Sequence, residues 1–239
     1  MSKKVVIVIV EGDSDEVLLI ERLKELYSGC EVRFESQRCD VFYDFKCQKP
    51  IKEVIGNIVR EIIEKRKYKP KDILAVAHII DTDGCMINDD SIKVDVKQEK
   101  KTIYSVETIN VDSEQQKLNI SNRNRERTIN VKSMNSVDKI VGKKYNYQIY
   151  YFSRNLEHVI FNEPNPKQDL KYENIENFIE NLDVKVEAFL LEHLPILENI
   201  NYPERYKESW NYISNGNNSL RRCTNVSLLF DFINIRLNI

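Results

Sequence analysis

The chain has 239 residues, with 36 Lys+Arg against 38 Asp+Glu and a formal net charge of -2. That length supports a full buried core in one large domain or two small ones, and 41% hydrophobic with 31% charged residues excludes wholesale disorder. No apolar run approaches the roughly 18 residues of a membrane span, and the near-neutral balance excludes a bulk polycation while leaving room for a local basic surface.

Residues 1–10 have a basic start and an apolar run, like a signal peptide, but the run is short, β-branched and continues directly into the acidic segment 11–16. Residues 5–10 instead predict a strand buried on both faces. Gly12 supports a turn, and Asp13 or Ser14 caps a helix from about Asp15 to Ser28-Gly29, with Val17, Leu18, Leu19, Leu23 and Leu26 along one side. Residues 31–34 form a second strand candidate, and 36–49 read as a loop in which Val41-Phe42-Tyr43 is a candidate small strand. Pro50 opens a second helix whose Val54, Ile55, Ile58, Ile62 and Ile63 keep a 3.6-residue period to Lys67. Residues 73–80 are the next buried strand and run into Asp81-Thr82-Asp83-Gly84. Strands alternating with helices in this order predict an α/β fold, a parallel sheet with right-handed crossovers flanked by helices.

Residues 85–145 interrupt that alternation. Short alternating stretches at 101–106 and 128–131 suggest strands or hairpins. Residues 97–144 hold 11 Lys+Arg against 6 Asp+Glu, whereas 145–239 hold 9 against 13, so the basic charge is concentrated in the interruption. Residues 147–152 predict another core strand, followed by Ser153-Arg154-Asn155-Leu156-Glu157-His158. Helices are expected at 175–191, Tyr202–Ile213 and 227–237. The division this suggests is a catalytic domain over 1–163, with the insertion at about 85–145, and a helical C-terminal region over 164–239.

In a parallel sheet, active residues gather where strands end. Glu11 follows the first strand, Asp15 lies one helical turn later, and Asp81 and Asp83 end a third strand. Each alone has an ordinary explanation as a helix cap or solvated loop residue, and for Asp13 and Glu16 that explanation suffices. Together they would repel one another strongly, and a hard divalent cation such as Mg²⁺ or Mn²⁺ relieves such repulsion through carboxylate oxygens. The Glu-Gly-X-X-Asp and Asp-X-Asp motifs, Glu11-Gly12-Asp13-Ser14-Asp15 and Asp81-Thr82-Asp83, resemble those of the Toprim domain. The Glu-Gly-X-Ser-Asp form is most similar to Toprim nucleases of the OLD family and related standalone phage-defence proteins. The resemblance covers about 4–84, resumes at 147–159 and does not extend over 165–239.

The resemblance implies a Rossmann-like Toprim sheet and a metal-dependent nuclease that cleaves DNA or RNA, of the kind found among antiphage defence effectors. Glu11, Asp15, Asp81 and Asp83 would be metal ligands, Glu11 alternatively a general acid/base; Glu157 would complete a second metal position, and Arg154 would bind the scissile phosphate. Two ions about 4 Å apart stabilise the attacking and leaving oxygens of a phosphodiester. The long stretch from Glu11 to Asp81 and the 85–145 insertion depart from compact Toprim domains. Arg123, Arg125, Arg127, Lys132, Lys143 and Lys144 are candidate phosphate contacts, against the plainer reading of solvated surface charge. Tyr145, Tyr147, Tyr150 and Tyr151 are candidate stacking residues, although alternation makes Tyr147 and Tyr151 ordinary strand residues.

His78, inside an apolar strand, reads as a hydrogen-bonded core histidine. His158 stands next to Glu157, and His193 has no evident chemistry. The five cysteines (Cys30, Cys39, Cys47, Cys85, Cys223) are odd in number and lack zinc-site spacing, so reduced thiols and a cytoplasmic location are expected. The C-terminal helices are candidates for a homodimer face or for contact with a partner subunit of a defence system. Two other functions compete. Residues 79–84 also resemble the strand-end Asp-X-Asp of haloacid-dehalogenase-like phosphatases, with Asp81 as nucleophile and Asp83 as acid/base, which leaves Glu11 and Asp15 without a role. The other is a non-catalytic nucleic-acid-binding or sensor subunit on a Toprim scaffold.

Overall fold

The computed structural model describes residues 4–38, 41–42, 49–165, 171–196 and 200–239. In chain order its elements are β1 (Lys4–Val10), α1 (Asp13–Leu26), β2 (Val32–Arg38), α2 (Ile51–Arg66) and β3 (Ile73–Asp81). The insertion follows with β4 (Ile92–Val94), β5 (Thr102–Tyr104), β6 (Ile109–Val111), α3 (Glu114–Asn135) and β7 (Lys139–Ile140). Then come β8 (Tyr145–Phe152), α4 (Leu156–Phe161), α5 (Lys171–Glu180), α6 (Val186–Glu192), α7 (Tyr202–Ile213) and α8 (Leu228–Leu237).

The main sheet has the order β2-β1-β3-β8-β7, parallel throughout except for the short β7 at its edge. The unbroken β-branched run of β1 is buried from Val5 to Val10 because β1 is a central strand with both faces covered. Val6, Val8 and Val10 face one core with α1, α5, α6 and α8; Val5, Ile7 and Ile9 face the other with α2, Val131 and Met134 of α3 and Trp210 of α7. The fold is therefore α/β, a mostly parallel sheet between two layers of helices. The second sheet, β4-β6-β5, closes a smaller core of Ile87, Ile92, Ile109, Val111, Ile120 and Leu220.

The C-terminal region is built into these cores. Leu228, Leu229, Phe232 and Ile233 are buried against the sheet, and Arg22 of α1 donates to both carboxylate oxygens of Glu187 on α6, at 2.7 and 3.0 Å. Residues 223–225 run beside the end of β8, where Ser153 N–H donates to the Cys223 carbonyl (2.9 Å) and Tyr151 N–H to Asn225 Oδ1 (2.8 Å). The helix expected over 175–191 is two helices. At the break, Asn181 Nδ2 donates to the Asn177 carbonyl at 2.7 Å, a side-chain bond that competes with continuation of the helix.

Two other expectations change. Residues 128–131, expected as a strand, lie inside α3. Along one side of that helix run the buried Ile120, Asn124, Arg127, Val131 and Met134, at spacings of four and three, with Ser121 buried beside them. Two of the five are polar, so no apolar period announces the helix. Residues 101–106 do contain a strand, the three-residue β5. Val41 and Phe42 occupy a buried turn, and Tyr43 lies outside the described residues. Cys30, Cys85 and Cys223 are free thiols, while Cys39 and Cys47 lie outside the described residues. Among the described residues no helix is long and apolar enough to cross a membrane.

After β3 the chain turns through Asp83 and Gly84, at φ +50° and +64°. A Cβ at Gly84 would stand 2.5 Å from Leu220 Cδ2, itself fully buried. Gly84→Ala is expected to cost about 2 kcal/mol from the left-handed backbone and the clash, measured by urea unfolding.

His78 is fully buried, stacked on Phe42 at 5.3 Å, with Nδ1 2.9 Å from the Tyr147 hydroxyl. Burial, helped by the positive charge of Arg127, pushes its pKa down to about 3 from an ordinary 6.5. The unfolded chain binds a proton there that the folded chain refuses, so stability falls as pH drops from 6.5 toward 3. His78→Leu is expected to be less stable at neutral pH, because Tyr147 loses its partner, yet to lose stability less steeply between pH about 6.5 and 4 in equilibrium unfolding.

Candidate functional site

In a sheet ordered β2-β1-β3-β8, the connections run to opposite sides on leaving β1 and on reaching β3. The carboxyl ends of β1 and β3 therefore border the crevice where open α/β sheets place their ligands. Glu11 directly follows β1 and Asp81 ends β3. Asp15 sits in the first turn of α1, whose N-cap is Gly12 rather than Asp13 or Ser14. Asp15 Oδ2 accepts the Gly12 N–H at 3.0 Å, so this carboxylate also closes the helix start. Asp13 and Glu16 do not join the crevice: both pair with Arg38, and Glu16 also accepts from the Ser36 hydroxyl.

Asp81 is the electrostatic centre. Burial pushes its pKa well above the carboxylate range, and the charges of Asp15, Glu11, Asp83 and Glu157, in that order, push it further. The fold thus brings all five acidic residues into one electrostatic neighbourhood although Glu11 and Glu157 are far apart in sequence. Asp81 Oδ1 is buried and makes no hydrogen bond. Proximity is not yet a ligand shell: among the described residues, no group of three His, Cys, Asp or Glu side chains is arranged to hold one ion.

What stands among these carboxylates is a guanidinium. Arg127, on α3, is fully buried; its Nη2 donates to Glu11 Oε1 at 2.6 Å, its Nε donates to the Asp81 carbonyl at 3.1 Å, and its Nη1 lies 3.6 Å from Asp83 Oδ2. Its outer face lies over the Phe42 ring at 5.9 Å. One turn earlier, Arg123 donates through Nη2 to the Asp83 carbonyl (3.0 Å) and through Nη1 to the Tyr104 hydroxyl (3.0 Å). The basic run of the insertion is therefore divided by the helix. Arg127 is a buried counter-cation and not a surface phosphate contact, Arg123 is half-buried beside it, and Arg125, Lys132, Lys143 and Lys144 are exposed. The insertion supplies the charge that the crevice needs.

Glu157 is buried in the first turn of α4, which Asn155 caps by accepting the His158 N–H at 2.9 Å. Arg154 occupies a left-handed conformation (φ +60°) and is 2% exposed. Its Nε donates to His158 Nδ1 at 3.1 Å and its Nη1 points to the Ser105 carbonyl at 3.4 Å, so the guanidinium ties α4 to the insertion. Burial lowers its pKa to about 10, partly offset by Tyr104 and the Glu163 carboxylate nearby. The expected role of Arg154 at a scissile phosphate rests on the family resemblance alone. His158, pushed down to about 4 by burial and by Arg154, is the neutral acceptor of that bond. Burial raises the Cys85 thiol, which disfavours the thiolate.

Tyr145, Tyr147, Tyr150 and Tyr151 are all buried, so none offers a face to a base. Thr82 has a role that its sequence position did not announce: fully buried, its Oγ1 accepts the Arg154 N–H at 2.9 Å and locks the β3 turn to the β8 turn. Comparison with protein-family models, with curated proteins and with solved structures finds no match to this chain.

Asp81→Asn removes a carboxyl whose ionisation is opposed by burial and by four neighbours. In EDTA it is expected to raise Tm by a few degrees near neutral pH. Because the folded-state pKa lies above the ordinary 3.8, the carboxyl weakens the fold as pH rises, so the gain shrinks toward pH about 4. Arg127→Met leaves the half-buried Glu11 and the partly exposed Asp83 without their counter-cation and is expected to cost about 2 kcal/mol in denaturant unfolding.

Proposed function

We propose that this chain is a metal-dependent nuclease of the Toprim type, acting on DNA or RNA in the cytoplasm. The observation that carries the reading is the Asp81 carboxylate, placed at the sheet's switch point among Glu11, Asp15, Asp83 and Glu157, with one buried oxygen unpartnered. The donor set is all carboxylate oxygen, the chemistry suited to Mg²⁺ or Mn²⁺. Glu11, Asp15, Asp81 and Asp83 would turn from their present partners to take up an ion, with Glu157 serving a second, because no three of the described side chains converge on one point as they stand. Bound ions would neutralise the crevice, polarise a phosphodiester and activate water against it.

The protein's own residues prepare this site. Thr82 and the left-handed Asp83-Gly84 turn hold the Asp-X-Asp segment against β8. Arg127 neutralises Glu11 and Asp83, and a cation entering there competes with it for the same oxygens. Exposed Arg125, Lys132, Lys143 and Lys144 remain as phosphate contacts. The phosphatase reading has no use for Glu11 and Asp15, which both act on Asp81. One observation favours a second reading, a non-catalytic nucleic-acid-binding or sensor subunit: Arg127 already compensates the carboxylates.

The two readings separate in one experiment. Titrating Mn²⁺ into the metal-free protein by calorimetry is expected to show binding that Asp81→Asn weakens at least tenfold. Incubation of plasmid DNA and structured RNA with Mg²⁺ or Mn²⁺ is expected to give cleavage that Glu11→Gln and Asp81→Asn each reduce at least a hundredfold. Absence of both binding and cleavage would sink the nuclease reading and leave the non-catalytic one.

A further inference from the structure

Three side chains of α3 hold the segment that leaves β3, and each takes a different carbonyl. Arg127 donates to that of Asp81, through Nε at 3.1 Å and also through Nη2. Arg123 Nη2 donates to that of Asp83 at 3.0 Å, and Thr128 Oγ1 to that of Cys85 at 2.8 Å. Of the three, Arg127 also reaches the carboxylates, with Nη2 2.6 Å from Glu11 Oε1 and Nη1 3.6 Å from Asp83 Oδ2. The helix itself is fixed on both sides of this contact, by Ile120 in the small core and by Val131 and Met134 in the large one. The Arg127 guanidinium, by contrast, ends a long side chain with several rotatable bonds. Phe42, itself buried, covers its outer face, whereas the Asp83 side chain is 34% exposed, so the contact opens to solvent at Asp83.

We propose that Arg127 is an internal latch on the acidic crevice: it holds Glu11 and Asp83 in a closed arrangement, and a divalent cation enters by exchange with the guanidinium, which swings out past Asp83. The reason is electrostatic. Mg²⁺ takes a carboxylate oxygen at about 2.1 Å, so an ion on Glu11 Oε1 would lie within about 5 Å of an Arg127 Nη2 that stayed in place. Like charges that close repel strongly where burial weakens solvent screening, and one displaces the other. While the guanidinium is in place, no three of the described His, Cys, Asp or Glu side chains converge on one point, and its departure frees Glu11 and Asp83 to regroup around the ion. The crevice therefore keeps a cation throughout, first the guanidinium and then the metal. The latch sets a threshold of free divalent cation below which the site stays closed. This inference rests on the metal-dependent reading above and adds its regulation.

The deciding experiment uses the wild-type protein. Phenylglyoxal, which modifies accessible guanidinium groups, is applied in EDTA and in saturating Mn²⁺, and each modified arginine is located by mass spectrometry of peptides. Arg127, fully buried and bonded, is expected to resist modification in EDTA and to react at least tenfold faster in Mn²⁺, while the exposed Arg125 changes less than twofold. Calorimetry supplies the second measurement: Arg127→Gln is expected to bind Mn²⁺ at least tenfold more tightly than wild type, and Arg127→Lys, which keeps the charge, to stay within threefold of wild type. Equal tightening in both variants traces the effect to loosened packing and overturns the latch. Mn²⁺ that binds while Arg127 stays protected overturns the latch and keeps the metal reading. No binding by wild type or by Arg127→Gln overturns both. Exchange of Arg127 for Mn²⁺ in a protein that cleaves nothing keeps the latch and loses the nuclease.

Discussion

The contact on which the site depends is the buried Arg127 guanidinium between Glu11, the Asp81 carbonyl and Asp83. Carboxylates gathered at the end of a parallel sheet repel one another, and low-dielectric surroundings strengthen that repulsion. A guanidinium answers it because it stays charged when buried and offers donors in several directions at once. Arg127 uses this geometry on a side-chain oxygen and a backbone carbonyl together. It neutralises charge and also fixes where β3 ends. Asp81, whose Oδ1 finds no hydrogen bond, remains the unsatisfied member of the group.

This gives the insertion a structural reason. Residues between β3 and β8 form a small three-stranded sheet and a long helix, and that helix crosses the carboxyl end of the main sheet. Its buried stripe begins with Ile120 in the small core, passes through Asn124 and Arg127 at the crevice, and ends with Val131 and Met134 in the large core. One helix therefore joins two hydrophobic cores and delivers the counter-charge between them. The C-terminal helices have a parallel role on the other side of β8, where residues 223–225 continue the hydrogen bonding of that strand. Asp83, Thr82 and Arg154 are held between these two additions.

Much of the scaffold was legible in the sequence. The continuous β-branched run of β1 and the apolar run of β3, interrupted only by His78, identified central strands because a strand covered on both faces carries few polar residues on either side. Tyr202–Ile213 matches α7 at both ends, with an Asn-Tyr-Pro start that caps and opens a helix. The α3 helix was hidden for the opposite reason: Asn124 and Arg127 occupy core-facing positions, so hydrophobicity carries no helical period there. The same substitution of polar for apolar residues marks the crevice. A stripe at spacings of four and three that includes a polar pair is the signal that would have exposed both the helix and its role.

By itself the sequence determined the alternation of strands and helices, the identity of the acidic residues, and their attachment to strand ends, because these follow from local periodicity and chain order. Only the tertiary structure decided which charges meet. It set Glu157 in the field of Asp81, turned Arg154 toward His158, buried the four tyrosines and drew Arg127 from an apparent surface run into the carboxylates. The physical reason is that charge pairing depends on distances of a few ångströms across elements remote in sequence. A run of basic residues on a helix is divided among its faces, and the fold decides which face is inside.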